Sequence, residues 1–229
     1  MEKDKKSGFL LIDKPKTWTS FDVVAKLRNI TSIKKIGHAG TLDPIATGLL
    51  IVAVGQEATR QISQYVKMDK TYVAKAKFGE TSDTYDAEGQ IAETQCVASP
   101  QNITKKSVLD VLPNFIGEVM QVPPMFSAKK VGGKKLYELA RQGKKIERES
   151  VKIHIHSLEV LGFDYPWLEM KIECGSGTYI RSLIHDIGQN LGVGGVMYEL
   201  RRTKIGKFSI KKAALLKQLS KDNWIDFLF

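Results

Sequence analysis

The chain has 229 residues, 42% of them apolar, with 35 Lys and Arg against 25 Asp and Glu, for a formal charge of +10. That length allows one large domain or two small ones with a sizeable core, and the positive balance favours a polyanionic partner, nucleic acid ahead of an anionic membrane surface. The longest apolar run, Leu49–Val54, is too short to cross a bilayer, no long apolar leader precedes Gly8, and Cys96 and Cys174 stand too far apart for a disulfide framework, so a cytoplasmic protein without a membrane partner is expected.

Gly8–Asp13 reads as a strand ended by Lys14-Pro15. Ser20 is placed to cap a helix running to about Asn29, with Val23, Val24 and Leu27 on one face. A Gly-His loop follows, then a buried strand over Leu49–Val54 and a helix over Glu57–Val66. Thr71–Phe78 alternates as a strand, Gly79–Gly89 is a polar, acidic loop, and Thr104 caps a helix carrying Val108, Val111 and Leu112. Val122-Pro123-Pro124 breaks the pattern and opens an exposed, Lys-rich excursion that ends in a short helix over Leu136–Arg141. Val151–Val160 and Trp167–Cys174 read as a hairpin. Gly175-Ser176-Gly177 turns into an amphipathic helix over Thr178–Leu191, and Gly192–Gly195 stops it. A last strand is expected at Phe208–Ile210 and a last helix at Lys211–Leu219. Interleaved strands and helices with hairpin pairing predict an α+β fold: a mixed, largely antiparallel central sheet with flanking helices.

The stretch from Gly37 to Gly55 holds one carboxylate, Asp43, and one imidazole, His38; all else there is small, apolar or hydroxyl-bearing. Pro44 pushes Asp43 towards an extended or turn conformation, and Gly40 and Gly48 let the chain bend or let another molecule approach. An Asp-Pro pair can also simply open a turn. A carboxylate kept ionised away from water needs a cation. Arg181, in the first turn of the helix after Gly175-Ser176-Gly177, is the best candidate. A cation there opposes the helix dipole, so a buried acid or a phosphate should hold it. The glycine runs lack the Lys-Ser/Thr ending of a P-loop and the spacing of a dinucleotide fingerprint. No Cys-x-x-Cys occurs, and His154-x-His156 reads as one face of a strand, so no metal is expected.

Gly37-His-Ala-Gly-Thr-Leu-Asp43-Pro-Ile-Ala-Thr-Gly48 resembles the catalytic motif of the TruB family of tRNA pseudouridine synthases. Four further stretches resemble that family in order: Gly8–Pro15, Lys70-Thr71-Tyr72, Gly177-Thr-Tyr179-Ile-Arg181, and Leu200-Arg201-Arg202-Thr203 with Gly206 and Phe208. Thr81–Gly89, which contains Asp86, matches as well. The resemblance implies an isomerase that converts uridine to pseudouridine at position 55, in the TΨC stem-loop of tRNA, by base flipping. It implies Asp43 as the essential acid, Arg181 as its partner and Tyr72 as the platform that stacks on the base. His38 would fill the space the base vacates, Tyr179 line the pocket, and Leu200 pack near the base, with Asp86 also at the substrate.

The stretch at about 123–148, with Lys129, Lys130 and Arg141, resembles the family's RNA-gripping insertion; with Arg201 and Arg202 its cations suit phosphate contacts. The isomerisation oxidises and hydrolyses nothing, so no cofactor is implied, nor any protein partner. Whether the aspartate attacks C1′, attacks C6 or removes a proton on the way to a glycal stays open. Many family members continue into a small C-terminal RNA-binding (PUA) domain. About 20 residues follow Phe208, so a single catalytic domain over 1–229 without that addition is expected.

Overall fold

The computed structural model describes residues 7–94, 103–127, 130–131, 133–140, 142–143 and 146–229, with the backbone only at 130, 131, 134, 135, 137 and 138. Cys96, Lys129 and Arg141 lie outside the described residues, and so does the side chain of Lys130. The chain divides into two compact units, Met1–Val73 with Leu200–Phe229, and Ala74–Glu199. Strands β4 (Lys70–Phe78) and β12 (Gly195–Ile205) contribute residues to both.

The first unit is built on β3 (Thr47–Val54). Strand β1 (Gly8–Lys14) pairs antiparallel along its whole length, from Gly8 opposite Val54 to Lys14 opposite Gly48. Strand β2 (Ile36–Ala39) pairs antiparallel with the C-terminal half of β3, and Arg201 and Arg202 of β12 run parallel to Thr47 and Gly48. On one face, Leu10, Ile12, Leu50, Val52 and Val54 pack with Val23, Val24, Leu27 and Ile30 of α1 (Ser20–Thr31). On the other, Phe9, Leu11, Leu49 and Ile51 pack with Ala58 of α2 (Gln56–Val66). Burial on both faces explains why Leu49–Val54 is an unbroken apolar run instead of an alternating one.

Three expectations change here. His38 sits on a strand, not a loop, because Ile36–Ala39 finds an open edge of β3. The α1 cap is Thr19, not Ser20: Thr19 and Asp22 close a reciprocal capping box, which leaves Ser20 to turn inwards. The expected last helix does not form. Ser209 caps a three-residue 3₁₀ turn, Ile210–Lys212, and Ala213 is extended, so that β14 (Ala214–Leu215) can lie parallel to β1. A second 3₁₀ turn follows at Leu216–Gln218. Strand β13 (Phe208–Ser209) folds back on β12.

The second unit carries the order β4, β11 (Trp167–Cys174), β10 (Val151–Asp164), β7 (Gly117–Gln121), with β10 antiparallel to both neighbours. Helix α3 (Lys105–Val111) has the expected Thr104 cap, and α5 (Ile180–Asn190) buries Ile180, Leu183, Ile184 and Ile187. The acidic stretch after Gly79 is a small hairpin, β5 (Glu80–Ser82) with β6 (Ile91–Glu93). The Lys-rich excursion contains two short strands, β8 (Lys130–Val131) and β9 (Lys134–Lys135), and the single-turn helix α4 (Leu136–Ala140). Pairing throughout is mostly antiparallel with helices against it, the mixed α+β class that the residue pattern predicts.

Candidate active site

In the first unit, Asp43 stands half-buried between two pinned neighbours. On one side the Leu42 N–H donates to Ser20 Oγ (2.9 Å), and that hydroxyl returns a bond to Leu42 O (3.3 Å). On the other, Pro44 O accepts from the Thr17 N–H (2.9 Å) and from Lys14 Nζ (3.5 Å). The Ala46 N–H donates to Asp43 O and closes the turn (3.0 Å). Lys14 itself is fully buried; its ammonium also donates to Pro15 O (3.0 Å) and Trp18 O. A buried ammonium is tolerated only when carbonyls replace its water; here two come from the connection between β1 and α1 and one, Pro44 O, from the residue after Asp43.

Arg202 holds the same loop from behind. It is 1% exposed; Nε donates to Leu49 O (2.7 Å) and Nη2 to Gly40 O (3.0 Å). The sequence suggests a phosphate contact for this residue, but its guanidinium is spent on backbone carbonyls inside the unit. Arg201, one pleat on, is the exposed one and pairs with Asp13 (Nη2–Oδ2 2.6 Å). Leu200 is buried, and its carbonyl accepts from Thr47 Oγ1 (3.4 Å). Tyr72, on β4, is 8% exposed, and Thr203 Oγ1 donates to the carbonyl of its neighbour Thr71 (3.2 Å). His38 is half-buried, with no hydrogen-bond partner at Nδ1 among the described residues; burial first, and the Arg202 cation second, hold its imidazole below the usual range and so uncharged near neutrality.

The second unit holds Arg181, Tyr179 and Asp86. Arg181 is 4% exposed in the first turn of α5. Nη1 donates to Thr84 O (3.2 Å), Nη2 donates to Phe126 O (2.7 Å), and Nη1 lies 3.7 Å from Asp86 Oδ2. The buried acid that its unfavourable place on the helix demands is thus, within this unit, Asp86. That carboxylate is 3% exposed and accepts from Thr84 Oγ1 (2.6 Å) and the Glu88 N–H (3.1 Å). Tyr179 caps α5 and is clamped by Gln121, whose side-chain amide accepts from its N–H (2.9 Å) and donates to its carbonyl (3.0 Å).

Three residues to which the sequence assigns no role at a site hold these segments: Lys14 and Ser20 in the first unit and Gln121 in the second. Only Lys14 left a signal. It shares the inward face of β1 with Leu10 and Ile12, so a period-two count puts an ammonium where a core side chain belongs. Among the described residues, no group of three or more His, Cys, Asp or Glu could hold a metal ion, and no helix is long and apolar enough to cross a membrane.

Two family models match the chain: TruB family pseudouridylate synthase (N terminal domain) over residues 28–180, and tRNA pseudouridylate synthase B C-terminal domain over residues 181–226. The tRNA pseudouridine synthase B of Clostridium acetobutylicum is 46% identical over 216 residues, which is 94% of this chain and 73% of that one. The protein of the same name from Protochlamydia amoebophila is 50% identical over 206 residues, 89% of this chain and 76% of that one. Among solved structures, the crystal structure of a Cbf5-Nop10-Gar1 complex matches with a TM-score of 0.71 and 30% identity over 96% of this chain. The chain spans about half the length, 54%, of that matched structure.

Proposed function

The chain belongs to the TruB family of pseudouridylate synthases, and from that membership and the geometry above we propose that it isomerises uridine to pseudouridine in tRNA, at position 55 of the TΨC loop. The observation that carries the mechanism is the pinning of Asp43: Leu42 is tied by the Ser20 hydroxyl and Pro44 by the Thr17 N–H, with the Lys14 ammonium at 3.5 Å, so the carboxylate is presented at a fixed place without being sunk in the core. Such pre-positioning is what a group needs if it is to act on one bond of a bulky substrate.

The reaction breaks N1–C1′, turns the uracil over and forms C5–C1′; N1 gains a proton and C5 loses one to solvent. In this reading Asp43 acts on the nucleoside as nucleophile or base. Arg181, held within its own unit by two carbonyls and Asp86, is by family resemblance the cation that steadies the charge on the Asp43 carboxylate. Tyr72 holds the detached uracil by stacking, worth about 1–3 kcal/mol for a base. His38, uncharged, takes the place that the flipped base leaves, offering a flat ring without a charge to desolvate. The family resemblance assigns Tyr179 and Leu200 to the surroundings of the base. Arg201, with Lys129, Lys130 and Arg141 of the insertion, contacts phosphates, whereas Arg202 acts on the loop from inside.

The test is tritium release from tRNA carrying 5-tritiated uridine, with carbodiimide mapping to locate the product. Wild type should release tritium and give one stop at position 55. Asp43→Asn should release none while binding tRNA within about severalfold of wild type. Robust turnover by that variant refutes the role of Asp43; a stop elsewhere refutes the position.

A further inference from the structure

The turn that carries Asp86 is tied to α5 twice. One tie is the pair Asp86–Arg181. The other uses the adjacent residue on each side: Tyr85, next to Asp86, lies flat on His185, one helical turn beyond Arg181, with ring centroids 4.0 Å apart and an interplanar angle of 16°. Residues four apart on a helix lie one above the other, so the two ties are parallel rungs.

Tyr85 occupies this place at a cost. Its φ is +65°, the left-handed region that a bulky side chain seldom adopts. The turn is closed by the Tyr85 N–H on Ser82 O (3.2 Å) and hooked to β12, where the Met197 N–H donates to Tyr85 O (3.1 Å) and the Ala87 N–H to Met197 O (3.0 Å). Glycine or asparagine would satisfy that backbone with less strain, so the aromatic ring is there for what it touches. His185 gives the complementary sign. Its Nδ1 is buried with no hydrogen-bond partner among the described residues, and burial holds the imidazole below its usual range. What this histidine presents to Tyr85 is its flat ring face.

We propose that Tyr85 and His185 are positioning residues for the isomerisation. Their stack fixes the height of the Asp86 turn along α5, and so sets how the Asp86 carboxylate meets the Arg181 guanidinium. The inference rests on the reading that Arg181 serves the reaction; neither ring is asked to touch the substrate.

The test measures kcat and KM for tritium release. Tyr85→Gly keeps the left-handed turn and removes the ring; it should lower kcat about tenfold with KM within about twofold, as expected for a small misplacement near the chemistry. Tyr85→Phe, which keeps the stack, should restore kcat. The double variant Tyr85→Gly/Asp86→Asn should be no slower than Asp86→Asn alone, since both changes act through one contact. His185→Ala, which leaves the turn untouched, should reproduce the kcat loss with an unchanged melting transition, and it stands in should Tyr85→Gly fold poorly. A Tyr85→Gly enzyme as fast as wild type, or losses that multiply in the double variant, overturns the positioning role alone. A wild type that releases no tritium overturns the functional reading, and this role with it.

Discussion

Arg181 and Asp86 meet in a buried site, Nη1 to Oδ2 at 3.7 Å, and each is held by a further set of polar partners: Thr84 O and Phe126 O for the guanidinium, Thr84 Oγ1 and the Glu88 N–H for the carboxylate. Removing one member strands the other. Arg181→Met should destabilise the fold by about 3–5 kcal/mol, the cost of an unpaired buried charge, read from chemical denaturation. Asp86→Asn keeps the shape and loses the charge; it should lower kcat by about a hundredfold, with tRNA affinity within severalfold. Arg181→Lys should be no substitute, because a single ammonium cannot span two carbonyls and a carboxylate in the geometry of the fork.

Lys14→Met tests the pinning of Asp43. The thioether fills much of the lysine volume but removes the ammonium donor from the carbonyls of Pro15 and Trp18 and leaves Pro44 O only the Thr17 N–H. A stability loss of about 2–3 kcal/mol is expected from unsatisfied buried acceptors. The loop should loosen, so kcat should fall about tenfold while tRNA binding is kept. Equal losses of kcat and affinity would show that the lysine serves RNA binding instead.

Gly48→Ala should be among the most damaging single-carbon additions in the chain. A Cβ there would lie 2.4 Å from Arg202 O and 2.8 Å from Arg202 N, at φ +105°. The methyl group would force apart the parallel pairing of β3 and β12 that brings Arg202 to the loop. A loss of about 3 kcal/mol or more is expected. Gly117→Ala is the control. Gly117 has a comparable φ of +90° but, among the described residues, nothing within 4 Å of the added carbon; left-handed strain alone costs about 1–2 kcal/mol. Equal melting shifts for the two variants would discount the close approach.

Asp186 governs part of the pH response. It lines a cavity of about 280 Å³ with Phe115, Val119, Ile153 and Leu183, and burial pushes its carboxyl up to about 6 from an ordinary value of 3.8. Because the folded value is raised, the folded state binds the proton more tightly than the unfolded chain does. The contribution to stability is complete below the unfolded value and is lost as pH rises through 6. A fully buried group with that shift would lose about 3 kcal/mol; Asp186 is half-exposed, and screening by water reduces this to the order of 1 kcal/mol. Asp186→Asn should therefore be more stable than wild type at pH 7 and show a flatter pH dependence of stability between about 4 and 6. Parallel curves for the two proteins would remove Asp186 from the account.

The elements with a strong local signature were legible in the chain. The period-two alternation of β4, the double-faced apolar run of β3, the Thr104 cap and the glycine stop after α5 follow from side-chain periodicity and local backbone preference, so they do not depend on distant partners. The lone acid between glycines, and the cation at an unfavourable place on a helix, were equally visible. Tertiary structure alone decided which acid Arg181 meets within its own unit, that Arg202 faces inwards while Arg201 faces out, and that Ser20 leaves its cap to hold Leu42. It also turned the expected C-terminal helix into short turns around a strand. In each case the deciding partner is far away in sequence. A backbone carbonyl, a buried carboxylate or an open strand edge, brought close only by folding, outweighs local preferences worth a kcal/mol or less.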